Sequence, residues 1–167
     1  MTDKYLEDNI LVDDVTRLAS QSKVPLYERV GGRPVLERVH RIFYDKLYAH
    51  PWLGGFFNGI DQKKIENQQS DFIAQLIGGP KMYGGRLPHH AHAHIFITEE
   101  LFNVRSGLLR DSLMEAHVPE KEREEWLLID RSFKRAIVKQ SPDTCVKRFV
   151  DEDIVVIEKP LAFSASS

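Results

Sequence analysis

Residues 69–102 read QSDFIAQLIGGPKMYGGRLPHHAHAHIFITEELF, and they hold most of what is needed to predict how this chain folds. The stretch opens in an apolar pattern of helical spacing that stops at Gly78-Gly79-Pro80, because glycine ends helices well and proline cannot continue one. It closes on Thr98, a good helix N-cap, followed by two glutamates that suit the positive end of a helix dipole. Between these signals lies a loop that carries four histidines within six residues. The stretch therefore predicts two helices joined by a histidine-rich connection.

The same periodicity extends outward on both sides of this stretch. Apolar residues recur every three or four positions, which predicts substantial helices over about 34–49, 61–77, 98–116 and 120–140. Residues 154–160, IVVIEKP, have strand propensity instead. The sequence thus indicates an all-α core with short connections, at residues 25–140, flanked by an N-terminal extension at 1–24 and a C-terminal extension at 141–167.

Length and composition narrow the class of protein. A chain of 167 residues that is 42% hydrophobic and 29% charged is typical of one soluble globular domain. The net charge of −2 gives no electrostatic reason to expect a nucleic-acid or membrane partner. Cys145 is the only cysteine, so no internal disulfide can form, and no signal peptide or apolar span is visible. We therefore expect a cytoplasmic protein with no nucleic-acid and no membrane partner.

The four clustered histidines, His89, His90, His92 and His94, are the first candidates for chemistry. A solvated loop or ordinary hydrogen bonding would account for any one of them. His90 and His94 lie one helical turn apart and could chelate zinc, although no third ligand is evident nearby. A third interpretation is that one imidazole faces an apolar pocket and binds haem iron. Side chains suited to line such a pocket, or an ordinary core, are Phe43, Phe56, Phe57, Phe72, Ile73, Phe96 and Phe102.

Gln69 is the unusual residue of its helix, because it lies in the apolar stripe formed with Ile65, Phe72 and Ile73. A buried amide without a partner costs on the order of 1–3 kcal/mol. A ligand bound to iron would satisfy it, and so would the hydroxyl of Tyr44 on the preceding helix. The alternative is that Gln69 bonds to backbone or faces outward.

Several short motifs then occur in a specific order: Gly31-Gly32, Phe43-Tyr44, His50-Pro51-Trp52 with Phe56-Phe57, Gln69 to Pro80, Tyr83 with Gly85 and Arg86, His92, Phe102 and Val118-Pro119. In this order and spacing the chain from about Leu26 to Lys139 resembles the truncated haemoglobins, the two-over-two globins, and most of all their first group. The resemblance implies an all-α fold, a truncated globin-like two-over-two helical sandwich, with N- and C-terminal extensions outside it.

The resemblance also implies roles for individual residues. His92 would be the iron ligand of one haem b (iron protoporphyrin IX). Tyr44 and Gln69 would be the catalytic distal pair that donates hydrogen bonds to bound O2, and Ile65 would take the place of the distal histidine of classical globins. The residues implied in cofactor binding besides His92 are Phe57, which wedges against the haem, and Ile65, Phe72, Ile73, Tyr83, Arg86, Phe96 and Phe102.

Two residues depart from the family pattern. Leu101 stands where relatives often have histidine. Arg105 lies three residues after Phe102, where an apolar pocket residue is expected. Arg105 either reaches a haem propionate or marks an altered pocket.

The function that the resemblance implies is reversible binding of O2, with NO and CO as further gaseous ligands. Oxidation of NO to nitrate is a related activity, and it would need a separate reductase because no reductase domain is visible in the chain. Two alternatives remain open at this point. One is a haem-based gas sensor or signalling module that uses the extensions, and the other is a non-haem helical protein with a histidine metal site.

Overall fold

The computed structural model describes residues 23–164, and in this range the regular structure is helical. The α-helices of the described range are α1 Leu26–Val30, α2 Arg33–Ala49, α3 Gln62–Leu76, α4 Pro88–Ala91, α5 Glu99–Glu115, α6 Glu120–Ser132, α7 Lys134–Ile137 and α8 Leu161–Ser164. Two 3₁₀ turns cover Leu53–Phe57 and Pro142–Thr144. Most of the predicted N-terminal extension, residues 1–22, lies outside the described residues.

The long helices form two packed pairs. Helix α2 packs against α3 and also against α5, and α5 packs against α6. The buried side chains of α2 recur every three or four residues, as one helix face toward a core requires. The prediction of an all-α, two-over-two sandwich is confirmed by this arrangement.

Local signals in the sequence fix where two of these helices begin. The Asp61 carboxylate accepts a hydrogen bond from the Lys64 N–H at 2.7 Å and caps α3. The Thr98 hydroxyl accepts one from the Leu101 N–H at 3.1 Å and caps α5. Each bond satisfies an N–H that has no partner within its helix. Both caps are where the sequence predicts them.

The Gly-Gly-Pro stop after α3 also provides a packing site for α1. A Cβ added to Gly79 would lie 2.6 Å from the Tyr27 ring, so only glycine leaves room for that ring. The Tyr27 N–H donates to the Ile77 carbonyl at 3.0 Å. The end of α3 is therefore joined to α1 by the Tyr27 ring, which packs directly on the backbone of Gly79.

The prediction of one continuous helix over about 120–140 is wrong, because α6 ends at Ser132 and α7 covers only Lys134–Ile137. The Ser132 hydroxyl donates to the Ile129 carbonyl at 2.6 Å, and the Phe133 N–H donates to the Asp130 carbonyl at 3.2 Å. Bonds to the third preceding residue tighten the chain and interrupt the regular helical ladder. The short helix α7 that follows packs against α4, the helix that leads into His92.

The C-terminal segment, residues 143–163, lies against the histidine-bearing connection. The Val146 N–H donates to the Ala93 carbonyl at 2.8 Å, and the Val155 N–H donates to the His94 carbonyl at 2.9 Å. Residues 154–160, predicted to have strand propensity, contribute one parallel bridge, between Val155 and Ile95, and the described residues form no named strand. No helix in the described part of the chain is both long and apolar enough to span a bilayer.

Candidate functional site

His92 follows directly after α4, in the connection held between α7 and the C-terminal segment. Its Nδ1 lies 2.7 Å from the Pro88 carbonyl oxygen and donates a hydrogen bond to it. That bond fixes the tautomer and leaves Nε2 with its lone pair available to a metal. Burial lowers the pKa of His92 to about 4 and outweighs the upward effect of the Pro88 carbonyl. His92 is therefore a neutral, oriented imidazole, which is the form that binds iron.

Lys139 organises the backbone around His92, although no sequence pattern predicts this role. Its Nζ donates to the carbonyls of His92 at 2.9 Å, Ile95 at 2.8 Å and Ile137 at 3.2 Å. These charge-assisted bonds tie the end of α7 to the connection that carries the imidazole. A lysine after a predicted helix looks like any solvated residue, and only the tertiary contact reveals its position.

The other three histidines have different surroundings. The rings of His89 and His90 lie 5.2 Å apart. The His94 Nε2 lies 3.3 Å from Arg148 Nη2 and 3.6 Å from a Glu152 carboxylate oxygen, while its buried Nδ1 has no hydrogen-bond partner in the described part of the chain. Over residues 23–164 the structure brings together no group of three or more His, Cys, Asp or Glu side chains that could hold a metal. This counts against the zinc interpretation of His90 and His94.

Tyr44, the first predicted distal residue, lies in α2 with its ring buried among aromatic side chains. Its ring centroid is 5.4 Å from that of Phe43, 6.5 Å from that of Tyr48 and 5.9 Å from that of Phe57, all in edge-to-face contact. The structure thus brings together Tyr44 and Phe57, two of the residues that the sequence places at the site. Burial raises the pKa of the Tyr44 phenol above its ordinary value, so the hydroxyl keeps its proton and can donate it in a hydrogen bond.

Gln69, the second predicted distal residue, is half-buried on α3. It forms no hydrogen bond with Tyr44, and neither side chain has a hydrogen-bond partner among the residues that the structure describes. Of its neighbours in the apolar stripe, Ile73 is 3% exposed, whereas Ile65 and Phe72 are half-buried and pack against the core. Among residues 23–164, the side chains of Tyr44 and Gln69 therefore both keep hydrogen-bond donors that no protein group uses.

The remaining predicted lining residues fall into two sets. Phe72 is in contact with Tyr83, at 5.0 Å between ring centroids, and the Tyr83 hydroxyl donates to the Arg86 carbonyl at 2.5 Å. Phe102 is 1% exposed and belongs to the core. Arg86 and Phe96 instead contact the C-terminal segment: the Arg86 guanidinium lies 4.7 Å from the Phe149 ring centroid, and the Phe96 N–H donates to the Val155 carbonyl at 2.9 Å.

Arg105 was predicted to reach a propionate or to mark an altered pocket, and the structure pairs it with Asp130 of α6. Its Nη1 lies 2.9 Å and 2.8 Å from the two carboxylate oxygens. Asp130 went unnoticed in the sequence although it follows Trp126 by one helical turn, on the buried face of its helix. A carboxylate on that face was the signal that a buried cation lies opposite.

These residues fit a haem. The hydrogen bond of Nδ1 leaves the His92 Nε2 available, aromatic and aliphatic side chains of α2, α3 and α5 supply apolar surface, and Tyr44 and Gln69 offer unused donors. Such a set matches a flat apolar cofactor with a small polar ligand better than it matches a hydrated metal ion.

Comparison with known proteins identifies the family of this chain. The model of the bacterial-like globin family matches residues 25–139. The chain belongs to the bacterial-like globin family. Group 1 truncated hemoglobin GlbN of Mycolicibacterium paratuberculosis is 33% identical to this globin over 105 residues, which are 63% of this chain and 77% of the relative.

Solved structures give the same result for the fold. The hemoglobin of Chloroflexus aurantiacus superimposes with a TM-score of 0.65 at 27% identity, over 71% of this chain and all of that one. A variant of the truncated hemoglobin of Tetrahymena pyriformis, in its Fe(III) form, gives 0.65 at 25% identity over 70% of this chain and all of that one. The resemblance to truncated haemoglobins is confirmed, and membership of the globin family implies a haem cofactor and small gaseous ligands such as O2.

Proposed function

We propose that this globin holds one haem b through His92 and reversibly binds O2, with CO and NO as further gaseous ligands. The observation that carries the proposal is the hydrogen bond from His92 Nδ1 to the Pro88 carbonyl at 2.7 Å. It leaves Nε2 as the basic nitrogen of a buried, neutral ring. When bound, the haem supplies an iron centre that takes a diatomic gas, and His92 is the residue that holds it.

The distal side is proposed to consist of Tyr44 and Gln69. Both can donate a hydrogen bond, and neither has a protein partner among residues 23–164. The aromatic contacts of Tyr44 keep its phenol in place, and the buried setting makes each donated bond stronger than it would be in water. A polar diatomic ligand between these two donors would satisfy both.

The haem domain is proposed to span residues 25–140, with cofactor contacts from Phe57, Ile65, Phe72, Ile73, Tyr83, Arg86, Phe96 and Phe102. Phe57 is in edge contact with Tyr44 and stacks on Tyr48 at 5.0 Å between centroids, so these two tyrosine rings hold its position. Phe102 and Ile73 are at most 3% exposed, which supports their proposed role as apolar walls of the site.

The test is the absorbance spectrum of haem-reconstituted wild type and His92→Gly, oxidised, reduced and with CO. We expect a Soret band that shifts with CO in the wild type, a disturbed spectrum in the variant, and recovery of the variant when free imidazole is added. His90→Ala is the matched control, and its spectrum should equal that of the wild type. If His92→Gly behaves as the wild type and His90→Ala does not, the iron ligand is misassigned. Absence of a Soret band in the wild type excludes haem binding.

The distal assignment is tested by the rate of O2 loss from Tyr44→Phe/Gln69→Leu. Removing two hydrogen bonds of about 1 kcal/mol each should speed dissociation by roughly 30-fold. Stopped-flow displacement of O2 by CO measures the rate, and Gln68→Leu, on the exposed side of the same helix, is the control. Equal rates in wild type and double variant would contradict the assignment.

Oxidation of NO to nitrate is proposed as an activity of the same site. One NO and one O2 combine to nitrate with one electron, which the haem iron would supply and which leaves it oxidised. Tyr44 and Gln69 would hold the O2 for the reaction, and a separate reductase would return the electron. Nitrate formed in equal amount to the NO added to O2-loaded protein would support the proposal, and NO recovered unchanged would contradict it.

A further inference from the structure

The ion pair between Arg105 of α5 and Asp130 of α6 is partly buried, with the carboxylate the more buried partner. The two side chains are 24% and 8% exposed, and one guanidinium nitrogen contacts both carboxylate oxygens. Asp130 holds the charge on Arg105 by raising its pKa, although burial alone would lower it. A full positive charge is thus held inside the helical sandwich.

The surroundings of this charge are the aromatic side chains of the proposed haem site. The Arg105 guanidinium carbon lies 5.2 Å from the Phe43 ring centroid and 5.8 Å from the Phe102 ring centroid. Phe43 is in turn 5.4 Å from the ring of Tyr44. Arg105 is therefore one ring away from the hydroxyl-bearing distal residue.

The guanidinium still has donors to offer. Its Nη1 is engaged by Asp130, and among the described residues Nε and Nη2 donate to no protein acceptor. Since Phe43, Phe102 and Asp130 are themselves at most 8% exposed, the accessible part of Arg105 faces away from them.

Stability alone gives no reason for this pair. Taking two charges out of water costs several kcal/mol, and apolar residues of similar volume are often as good or better in such a place. A buried charge beside a ligand site is, by contrast, a common means of selecting the ligand. The pair is thus better explained by what it does to a bound molecule.

We propose that Arg105 is a specificity-determining residue that favours small anionic ligands of the haem site, such as azide, fluoride or nitrite, over neutral ones. Asp130 positions the guanidinium and partly offsets its charge. The proposal rests on haem binding at His92 and concerns a residue that the distal pair does not include. Arg105 acts through its field and through its two unused donor nitrogens, Nε and Nη2.

The experiment is equilibrium titration of the oxidised, haem-loaded full chain with azide and, separately, with neutral imidazole. Asp130→Asn removes the negative charge that partly neutralises the guanidinium. It should raise the affinity for azide about tenfold, because one charge is altered at close range in a partly buried site. Arg105→Met/Asp130→Leu removes both charges without leaving either unpaired and should weaken azide about tenfold. Arg105→Lys keeps the charge and should lie close to the wild type. Imidazole affinity should change little in any of them.

The C–O stretching frequency of the reduced CO form is a second readout, which a merely structural role would not move. It should fall in Asp130→Asn and rise in Arg105→Met/Asp130→Leu, because positive charge near the ligand draws electrons into it. Arg29→Met breaks another ion pair, with Glu125, whose bonds are 2.9 Å and 2.6 Å. This control should lose stability and keep the azide affinity and CO frequency of the wild type.

Equal azide affinities in the wild type, Asp130→Asn and Arg105→Lys, each with a normal Soret band, would overturn the role of Arg105 and leave the proposed function intact. Loss of the Soret band in the wild type would overturn the proposed function, and this inference with it. If the double variant fails to fold, the tighter azide binding and lower C–O frequency expected of Asp130→Asn relative to the wild type still decide the matter.

Discussion

His40 is a fully buried imidazole outside the proposed haem site. Its Nδ1 lies 2.8 Å from the Ser70 hydroxyl oxygen, and its ring is in edge contact with Trp126 at 5.8 Å between centroids. Burial lowers the pKa of His40 to about 3, and the charges of Arg105 and Arg33 add to the effect. The His40 ring is therefore neutral in the folded protein at any pH well above 3.

His40 should make the stability of this globin fall on acidification. The unfolded chain takes up a proton on this residue below its ordinary pKa of about 6.5, whereas the folded state does so only near pH 3. Stability from this residue is therefore full above pH 6.5 and declines by up to about 1.4 kcal/mol per pH unit down to pH 3.

Urea unfolding of wild type and His40→Gln between pH 7 and 4 measures this contribution. The variant should be less stable at pH 7 and should have the shallower dependence on pH, since it has one titrating group fewer. Parallel plots of stability against pH for the two proteins would mean that His40 takes up its proton at the same pH in the folded and the unfolded state. His117→Gln, an exposed histidine, serves as the control and should keep the slope of the wild type.

At the scale of elements, the junction between α1 and the end of α3 depends on a missing side chain. Gly79→Ala places a Cβ 2.6 Å from the Tyr27 ring and should cost about 1–3 kcal/mol by overpacking. Gly107→Ala is the matched substitution in α5, where an added Cβ meets nothing within 4 Å. It should raise stability by about 0.5–1 kcal/mol through helix propensity. Chemical denaturation of both proteins measures the two effects, and a neutral Gly79→Ala would show that Tyr27 can move aside.

The elements that could be predicted from the sequence are those that depend on local signals. The caps at Asp61 and Thr98 and the stop at Gly78 are written within a few residues of the helix ends, and the structure has them there. The break at Phe133 could not be predicted, because it depends on a serine hydroxyl that competes for a backbone carbonyl within an otherwise helical pattern.

The residues of the candidate site also differ in whether local sequence signals predict them. The position of His92 follows from motif order, and its contact with the Pro88 carbonyl lies within one helical turn. Lys139 could not be assigned, since its partners in the histidine-bearing connection are remote in the sequence and a charged residue usually faces water. Asp130 has a sequence signal, its place on a buried helix face, but its partner Arg105 is remote in the sequence. The Tyr44–Gln69 pair stays a prediction, because the two side chains do not bond to each other.

At the scale of the whole molecule, the C-terminal segment braces the connection that carries His92. Val155→Pro removes the N–H that donates to the His94 carbonyl at 2.9 Å. Losing about 1 kcal/mol of this brace should speed transfer of haem to an apoprotein acceptor by about fivefold. Val156→Pro is the control, because the N–H of Val156 has no backbone acceptor in the described range. Equal transfer rates for both variants would show that the brace does not act on haem retention.

A gas-sensing role predicts that the C-terminal segment responds to ligand binding. If ligand binding is transmitted through Val155 and the His92 connection, amide hydrogen exchange in residues 143–163 must differ between the ligand-free and CO-bound forms. Equal exchange would exclude this alternative and leave the brace as a purely structural element.

The two tryptophans occupy different parts of this architecture. Trp126 is 1% exposed beside His40, whereas Trp52 donates its indole N–H to the Ile157 carbonyl at 3.1 Å and lies 6.3 Å from the Phe163 ring centroid. In the apoprotein, a Trp126→Phe chain would therefore emit light from one indole only, seated under the C-terminal segment. The wavelength of that emission reports whether the C-terminal segment is docked. Trp52 is thus an intrinsic fluorescent probe of the contact between the C-terminal segment and the rest of the protein.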